Sequence, residues 1–301
     1  MSGKPRVLVT ALMTVLAMGA GAQAAAAWEL SAPSPAAVAG TPVPGYDVAS
    51  GGAKDYEVVE SGARSDWPLA QTHDEIVCPV GKPISGGAQI FSSALGENLA
   101  SSYPTTQGWA VDVNNTTTTP GVFDIYAVCA NPKDYKVIGY DNVLNARAGG
   151  DGGGEHGCTK GTKLLGGGVQ SNSTDTNVSI RESEPLPQNF ANWAPGMWLS
   201  LVDNLGSQDV DVDSFLICGE VKHTYQVIKG TTSIDRAGTR EQLNVYCPTG
   251  TRPLGGGIDV DPHAGLGVAL NSTFPWPTGW SAIENNTTTD DATITDSVVC
   301  E

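Results

Sequence analysis

Residues 247–260 read CPTGTRPLGGGIDV. Three consecutive glycines beginning eight residues after a cysteine admit two readings, a phosphate cradle or a constraint of backbone geometry. The rest of the chain decides between them, because the frame recurs. A short apolar stretch follows a tyrosine at Tyr56 (DYEVVES), Tyr135 (DYKVIGY) and Tyr225 (TYQVIKG). A cysteine comes 22, 23 and 22 residues later, at Cys78, Cys158 and Cys247, with a glycine three further on at Gly81, Gly161 and Gly250. Glycine pairs stand at plus eight and nine, Gly86-Gly87, Gly166-Gly167 and Gly255-Gly256, with Ala88 where the first copy's third glycine is expected. Then come Ser102-Tyr103-Pro104, Ser183-Glu184-Pro185 and Thr273-Phe274-Pro275, and after them Trp109, Trp198 and Trp280. An asparagine lies six residues beyond each tryptophan (Asn115, Asn204, Asn286), and a second cysteine 20 beyond it (Cys129, Cys218, Cys300).

A threefold internal repeat of about 80 residues follows, and it must be read before any motif. It divides the chain into residues 54–132, 133–222 and 223–301. Six cysteines allow fifteen pairings; the repeat selects Cys78–Cys129, Cys158–Cys218 and Cys247–Cys300. Each bridge would close a loop of roughly 50–60 residues, worth about 4 kcal/mol in the chain-entropy model. FDIYAVC (123–129) and WAVDVN (109–114) alternate apolar and polar positions as half-buried strands do. NNTTTT, DNLG and NNTTTDD suit the turns between them. Each repeat therefore ends in a hairpin whose first strand starts with Trp and whose second ends with Cys. The fold class is all-β. Three disulfide-stapled, sandwich-like units packed together is the preferred arrangement, and a single pseudo-threefold β-prism is the alternative.

The first 27 residues read as a secretory signal: Lys4 and Arg6, an apolar run from Val7, then Ala-x-Ala sites at Ala22–Ala24 and Ala25–Ala27. Residues 28–53, rich in Pro and Ala, read as a flexible leader. No stretch approaches the roughly 20 apolar residues of a membrane span. The reading is of an exported, extracellular protein, in which paired cysteines are at home. A net charge of −16 sets the chain against nucleic acid and anionic membranes.

The phosphate-cradle reading fails. The chain holds neither Gly-x-x-x-x-Gly-Lys-Ser/Thr nor a strand–Gly-x-Gly-x-x-Gly–helix unit. The repeat accounts for every cysteine, leaving none for catalysis or metal. His73, His156, His223 and His263 fall at unrelated repeat positions. Asp209, Asp211 and Asp213 alternate and admit calcium as the one cofactor considered, beside simple solvation. Trp109, Trp198 and Trp280 read as core beside the disulfides. Tyr103, Phe190, Trp193 and Trp276 lie next to prolines in the variable stretches and are the candidate sugar-stacking residues.

The pattern CPxGxxxLGGG…Ser-x-Pro…GW…Cys resembles a repeat of secreted Gram-positive bacterial proteins, mostly without assigned function. CPVG, CTKG and CPTG with the triplication also resemble vitelline membrane outer layer protein, a threefold β-prism. There, Cys-Pro-x-Gly starts a Greek key and a Cys ends it. The repeats here are longer, and that family's Asp-Asp-Thr-Ala segment is not found. The resemblance implies an all-β, non-catalytic, sugar-related protein. The expected function is glycan or cell-envelope binding through residues 89–108, 169–197 and 258–279, one site per repeat. A surface-assembly protein is the second reading, and a hydrolase using Glu155 or His156 the third.

Overall fold

The computed structural model describes residues 38–43, 56–140, 145–186, 196–221 and 224–301. Every regular element among them is a strand. Two short strands come first, β1 (Val38–Ala39) and β2 (Thr41–Pro42). The first repeat holds β3 (Glu57–Glu60), β4 (Arg64–Asp66), β5 (Ala70–Val77), β6 (Lys82–Ile90), β7 (Glu97–Pro104), β8 (Gly108–Asn115) and β9 (Gly121–Ala130). The second holds β10 (Lys133–Tyr140), β11 (Gly150–Gly157), β12 (Lys163–Ser171), β13 (Val178–Leu186), β14 (Met197–Asn204) and β15 (Val212–Glu220). The third holds β16 (Gln226–Asp235), β17 (Arg240–Tyr246), β18 (Pro253–Val260), β19 (Val268–Trp276), β20 (Gly279–Asn286) and β21 (Ala292–Cys300).

The strands form three sheets. Sheet I runs β1-β5-β8-β7-β12-β15-β10, sheet II β11-β14-β13-β18-β21-β16, and sheet III β17-β20-β19-β6-β9-β3-β2, with β4 on β9. Three strands of one repeat thus continue into three strands of the next, around the ring. The joins are β7 to β12 (Ser102↔Val169), β13 to β18 (Ser183↔Ile258) and β19 to β6 (Thr273↔Ala88). This is the pseudo-threefold prism. The three repeats are packed together through shared sheets, since no sheet belongs to one repeat. The all-β, three-repeat, stapled architecture stands, with the disulfides Cys78–Cys129, Cys158–Cys218 and Cys247–Cys300.

The leader reading is corrected in part. β1 pairs in parallel with β5 at the edge of sheet I, and β2 pairs with β3 in sheet III. Between them Gly40 is buried, and a Cβ there would meet Val59 and Ile76. The signal segment and the rest of the leader lie outside the described residues.

The repeated residues are the joints of this ring. Trp109, Trp198 and Trp280 are buried in the core. Their indole N–H groups donate to Ser102 (2.9 Å), Ser183 (3.1 Å) and Thr273 (2.7 Å), the hydroxyls of the Ser/Thr-x-Pro motifs. A buried indole needs such an acceptor. The asparagine six residues on closes the hairpin turn. Asn115, Asn204 and Asn286 donate to the carbonyls of Thr119, Gln208 and Asp290, while their side-chain oxygens accept from Thr117, Gly206 and Thr288 N–H. The preceding residue ties each repeat to the next. Asn114 donates to Val178 O, Asn285 donates to Glu97 O, and Asp203 accepts from Gly267 N–H.

The ladder realigns the glycine run. Ser85, Gly166 and Gly255 sit opposite Val128, Ile217 and Val299, each just past a β-bulge and each partner one residue before a cysteine. The first copy is therefore one residue shorter before its run, and Ser85, rather than Ala88, is its non-glycine position. The three glycines have separate reasons. At the first, the repeats converge: a Cβ on Gly255 would lie 3.0 Å from Ser85 Oγ and 3.1 Å from Gly166 Cα. At the second, Gly86, Gly167 and Gly256 pass against Trp109, Trp198 and Trp280 of their own repeats. At the third, Gly87, Gly168 and Gly257 press on the carbonyls of Thr273, Ser102 and Ser183 in the neighbouring repeat. One side chain fits where the repeats converge, and Ser85 holds that place. Gly255→Ser is expected to cost about 1–3 kcal/mol by overpacking, and adding Ser85→Gly should recover part of the loss. Denaturant midpoints of the single and double variants measure the coupling.

Candidate functional site

The outer faces of the sheets carry what the core does not need. In sheet III, Tyr246 pairs with Gly279, and Gly279 pairs with Trp276. Trp280 points inward, so its neighbour Gly279 and the two aromatics opposite it point outward. Tyr246 is 57% and Trp276 45% exposed. Two aromatic rings therefore flank a bare strip of backbone on three adjacent strands, β17, β20 and β19. Glycine is required in the strip, since a Cβ on Gly279 would strike Val245 O.

The surroundings extend this surface. Phe274 lies buried beside Trp276, ring centroids 6.4 Å apart and edge-on, and stacks on Tyr126 at 5.7 Å. That stack fixes the base of Trp276. Along β17 the outward positions before Tyr246 are Asn244 and Gln242, both exposed. Gln242 Nε2 donates to Ser281 Oγ, 3.0 Å away on β20. Exposed rings beside amides on a sheet edge form an amphipathic platform, with apolar faces for stacking and oriented donors and acceptors.

The equivalent positions differ in the other repeats. In the second they are Gly157, Met197 and Leu186, which pair in the same register. In the first they are Val77, Gly108 and Thr105. Among the described residues, the aromatic pair thus stands at one of the three related places.

Of the sequence candidates, Trp276 belongs to this platform. Tyr103 is half-buried on the outer face of sheet I and stacks on Phe215 of the next repeat, 5.8 Å between centroids; it is not brought near Trp276. Phe190 and Trp193 lie outside the described residues, as does His223. Tyr246 escaped the sequence reading because it directly precedes Cys247, beside a fixed point of the repeat instead of in a variable loop. Its signal was alternation, since Leu243 and Val245 are buried while Gln242, Asn244 and Tyr246 are exposed.

The remaining titratable candidates are dispersed. His156 lies flat on Tyr140, centroids 3.5 Å apart, and burial lowers its pKa to about 4. His73 Nδ1 lies 2.7 Å from Asp112 Oδ1, and that hydrogen bond raises the imidazole pKa. Asp209 accepts from Ala148 N–H and Asp213 from Asn172. Among the described residues no group of three or more His, Cys, Asp or Glu stands where it could hold a metal ion, and no helix is long and apolar enough to cross a membrane.

On sheet II the outward counterparts of the Tyr103–Phe215 and Phe274–Tyr126 stacks are Glu184 and Ser297, joined by a 2.8 Å hydrogen bond. Burial pushes the Glu184 carboxyl up to about 8, with Lys229 3.9 Å away and itself 2.6 Å from Asp259. Sequence reasoning missed this group, because Glu184 falls on the middle residue of a Ser-x-Pro motif where its relatives are aromatic. No family model matches the chain, and no curated protein matches its sequence.

Proposed function

We propose that this is an extracellular, non-catalytic carbohydrate-binding protein with one principal site, the Tyr246–Trp276 platform on sheet III. The observation that supports it is the pairing of two half-exposed aromatic rings across a glycine, on rigid strands, with exposed amides in line. Sugar rings have one apolar face and a rim of hydroxyls, so they take a ring face below and amide groups at the side. Rigid strands hold both partners in place without an ordering cost on binding. The three disulfides suit a protein that works in an oxidising compartment.

Trp276→Ala should lower affinity for a bound glycan by about tenfold, the equivalent of about 1.4 kcal/mol. Its melting temperature should stay within a few degrees of the parent, since the side chain is exposed. Glycan-array binding followed by calorimetry reads the first, and thermal unfolding the second. Retention on no glycan, or full retention by the Trp276→Ala variant, would remove the reading.

A further inference from the structure

We infer that the ligand of this platform is an extended, uncharged, equatorially linked polysaccharide lying across strands β17, β20 and β19. The inference rests on the carbohydrate reading above and adds the class of chain. Tyr246 and Trp276 are level with each other and separated by one strand. Two strand spacings put their backbones roughly 10 Å apart. In an extended ribbon of equatorially linked pyranoses, successive rings turn over, and every second ring repeats its orientation at a comparable distance. Such a chain can lay its first and third rings on Tyr246 and Trp276 while the middle ring spans Gly279. The absence of a side chain at Gly279 is what lets the middle ring pass. An axially linked chain coils and does not present alternate rings to one flat surface.

Charge argues for a neutral chain. The protein carries −16 overall. The one cation on β17, Arg240, turns its guanidinium to the carbonyls of Ser92 and Ile90. On β17 itself Asn244 and Gln242 are left to meet the ligand's rim, and these match hydroxyls or acetamido groups rather than uronates.

The test is a length series. Cello- and chito-oligosaccharides of two to six rings are titrated into the full chain by calorimetry, with malto-oligosaccharides as the axially linked control. Affinity is expected to rise about tenfold between two and three rings in the equatorial series, and not in the control. Trp276→Ala and Tyr246→Ala should each remove the step while leaving residual binding to the other ring. Trp276-dependent binding with no step at three rings, or with equal affinity for the coiled control, overturns this inference and leaves the carbohydrate reading intact. A preference for oligouronates over neutral chains would also overturn it. Failure of every neutral and charged glycan to bind overturns both.

Discussion

Replacing Glu284 by valine is expected to stabilise the protein and to flatten its response to alkaline pH. Glu284 lies four residues after Trp280, on the inward face of β20. Its counterparts four after Trp109 and Trp198 are Val113 and Val202, and all three are fully buried. Both Glu284 carboxylate oxygens lack a hydrogen-bond partner. Burial first, then the charges of Asp235, Glu182 and Asp203, push its pKa well above the ordinary carboxyl value, with Arg181 opposing. An unpartnered buried polar group costs about 1–3 kcal/mol by mutational measures. Valine has a similar volume and already fills the same place twice. The gain should be about 2 kcal/mol, and with roughly 2–4 °C per kcal/mol for a domain of this size the melting temperature should rise by several degrees.

The pH arm has a definite sign. A carboxyl whose folded pKa is raised contributes stability that is fully present below its unfolded pKa and lost as pH rises through the folded one. Glu182 is pushed to about 8, and Asp66 and Asp235 to about 7, burial being the largest cause in each. His156, lowered to about 4, works the other way, but only between its folded value and its ordinary one near 6.5. The parent should therefore lose stability progressively as pH rises from the ordinary carboxyl range near 4 to about 8, and Glu284→Val should lose less. Thermal unfolding at pH 5, 6.5 and 8 measures both. A variant less stable than the parent at pH 8 would refute the account.

The opposite effect is expected at Gly256. A Cβ there would strike the Trp280 ring and lie 2.6 Å from Ser297 O. Neither can yield, since Trp280 is fully buried and hydrogen-bonded and Ser297 lies in β21, a strand paired on both sides. Gly256→Val should cost about 3–5 kcal/mol, at the upper end for overpacking, and lower the melting temperature by roughly 10 °C or more. Gly265→Ala is the matched control, with its nearest neighbour 3.9 Å away, and should change little. An unchanged melting temperature in Gly256→Val would show that the run is not held by packing.

The sequence disclosed these parts unevenly. Cysteine spacing announced the staples, and Trp-x-x-x-x-x-Asn announced the hairpin and its turn, because both are contacts within a repeat at fixed offset. The joins between repeats were hidden. They are made by Ser102, Ser183 and Thr273, whose hydroxyls serve their own tryptophans while their strands pair with the next repeat. Nothing in a sequence tells which repeat a strand edge will meet. The glycine run carried that information in coded form, since its first position answers to the other two repeats, its second to its own and its third to a neighbour. The site was less legible still. Trp276 stood out as a loop aromatic, but its partner Tyr246 comes from a strand thirty residues earlier in the chain, and only the ladder through Gly279 sets them side by side.

The tyrosines that open the first and second repeats clasp the ring of repeats shut. Tyr135 donates to Pro83 O of the repeat before it, and Tyr56 donates to Pro253 O of the last repeat. Arg252 then lies over the Tyr56 ring at 4.1 Å while its guanidinium meets Glu301 at 3.3 Å. The first repeat thus grips the third in the way the second grips the first. The fold is a closed ring in which each repeat is held by both of the others.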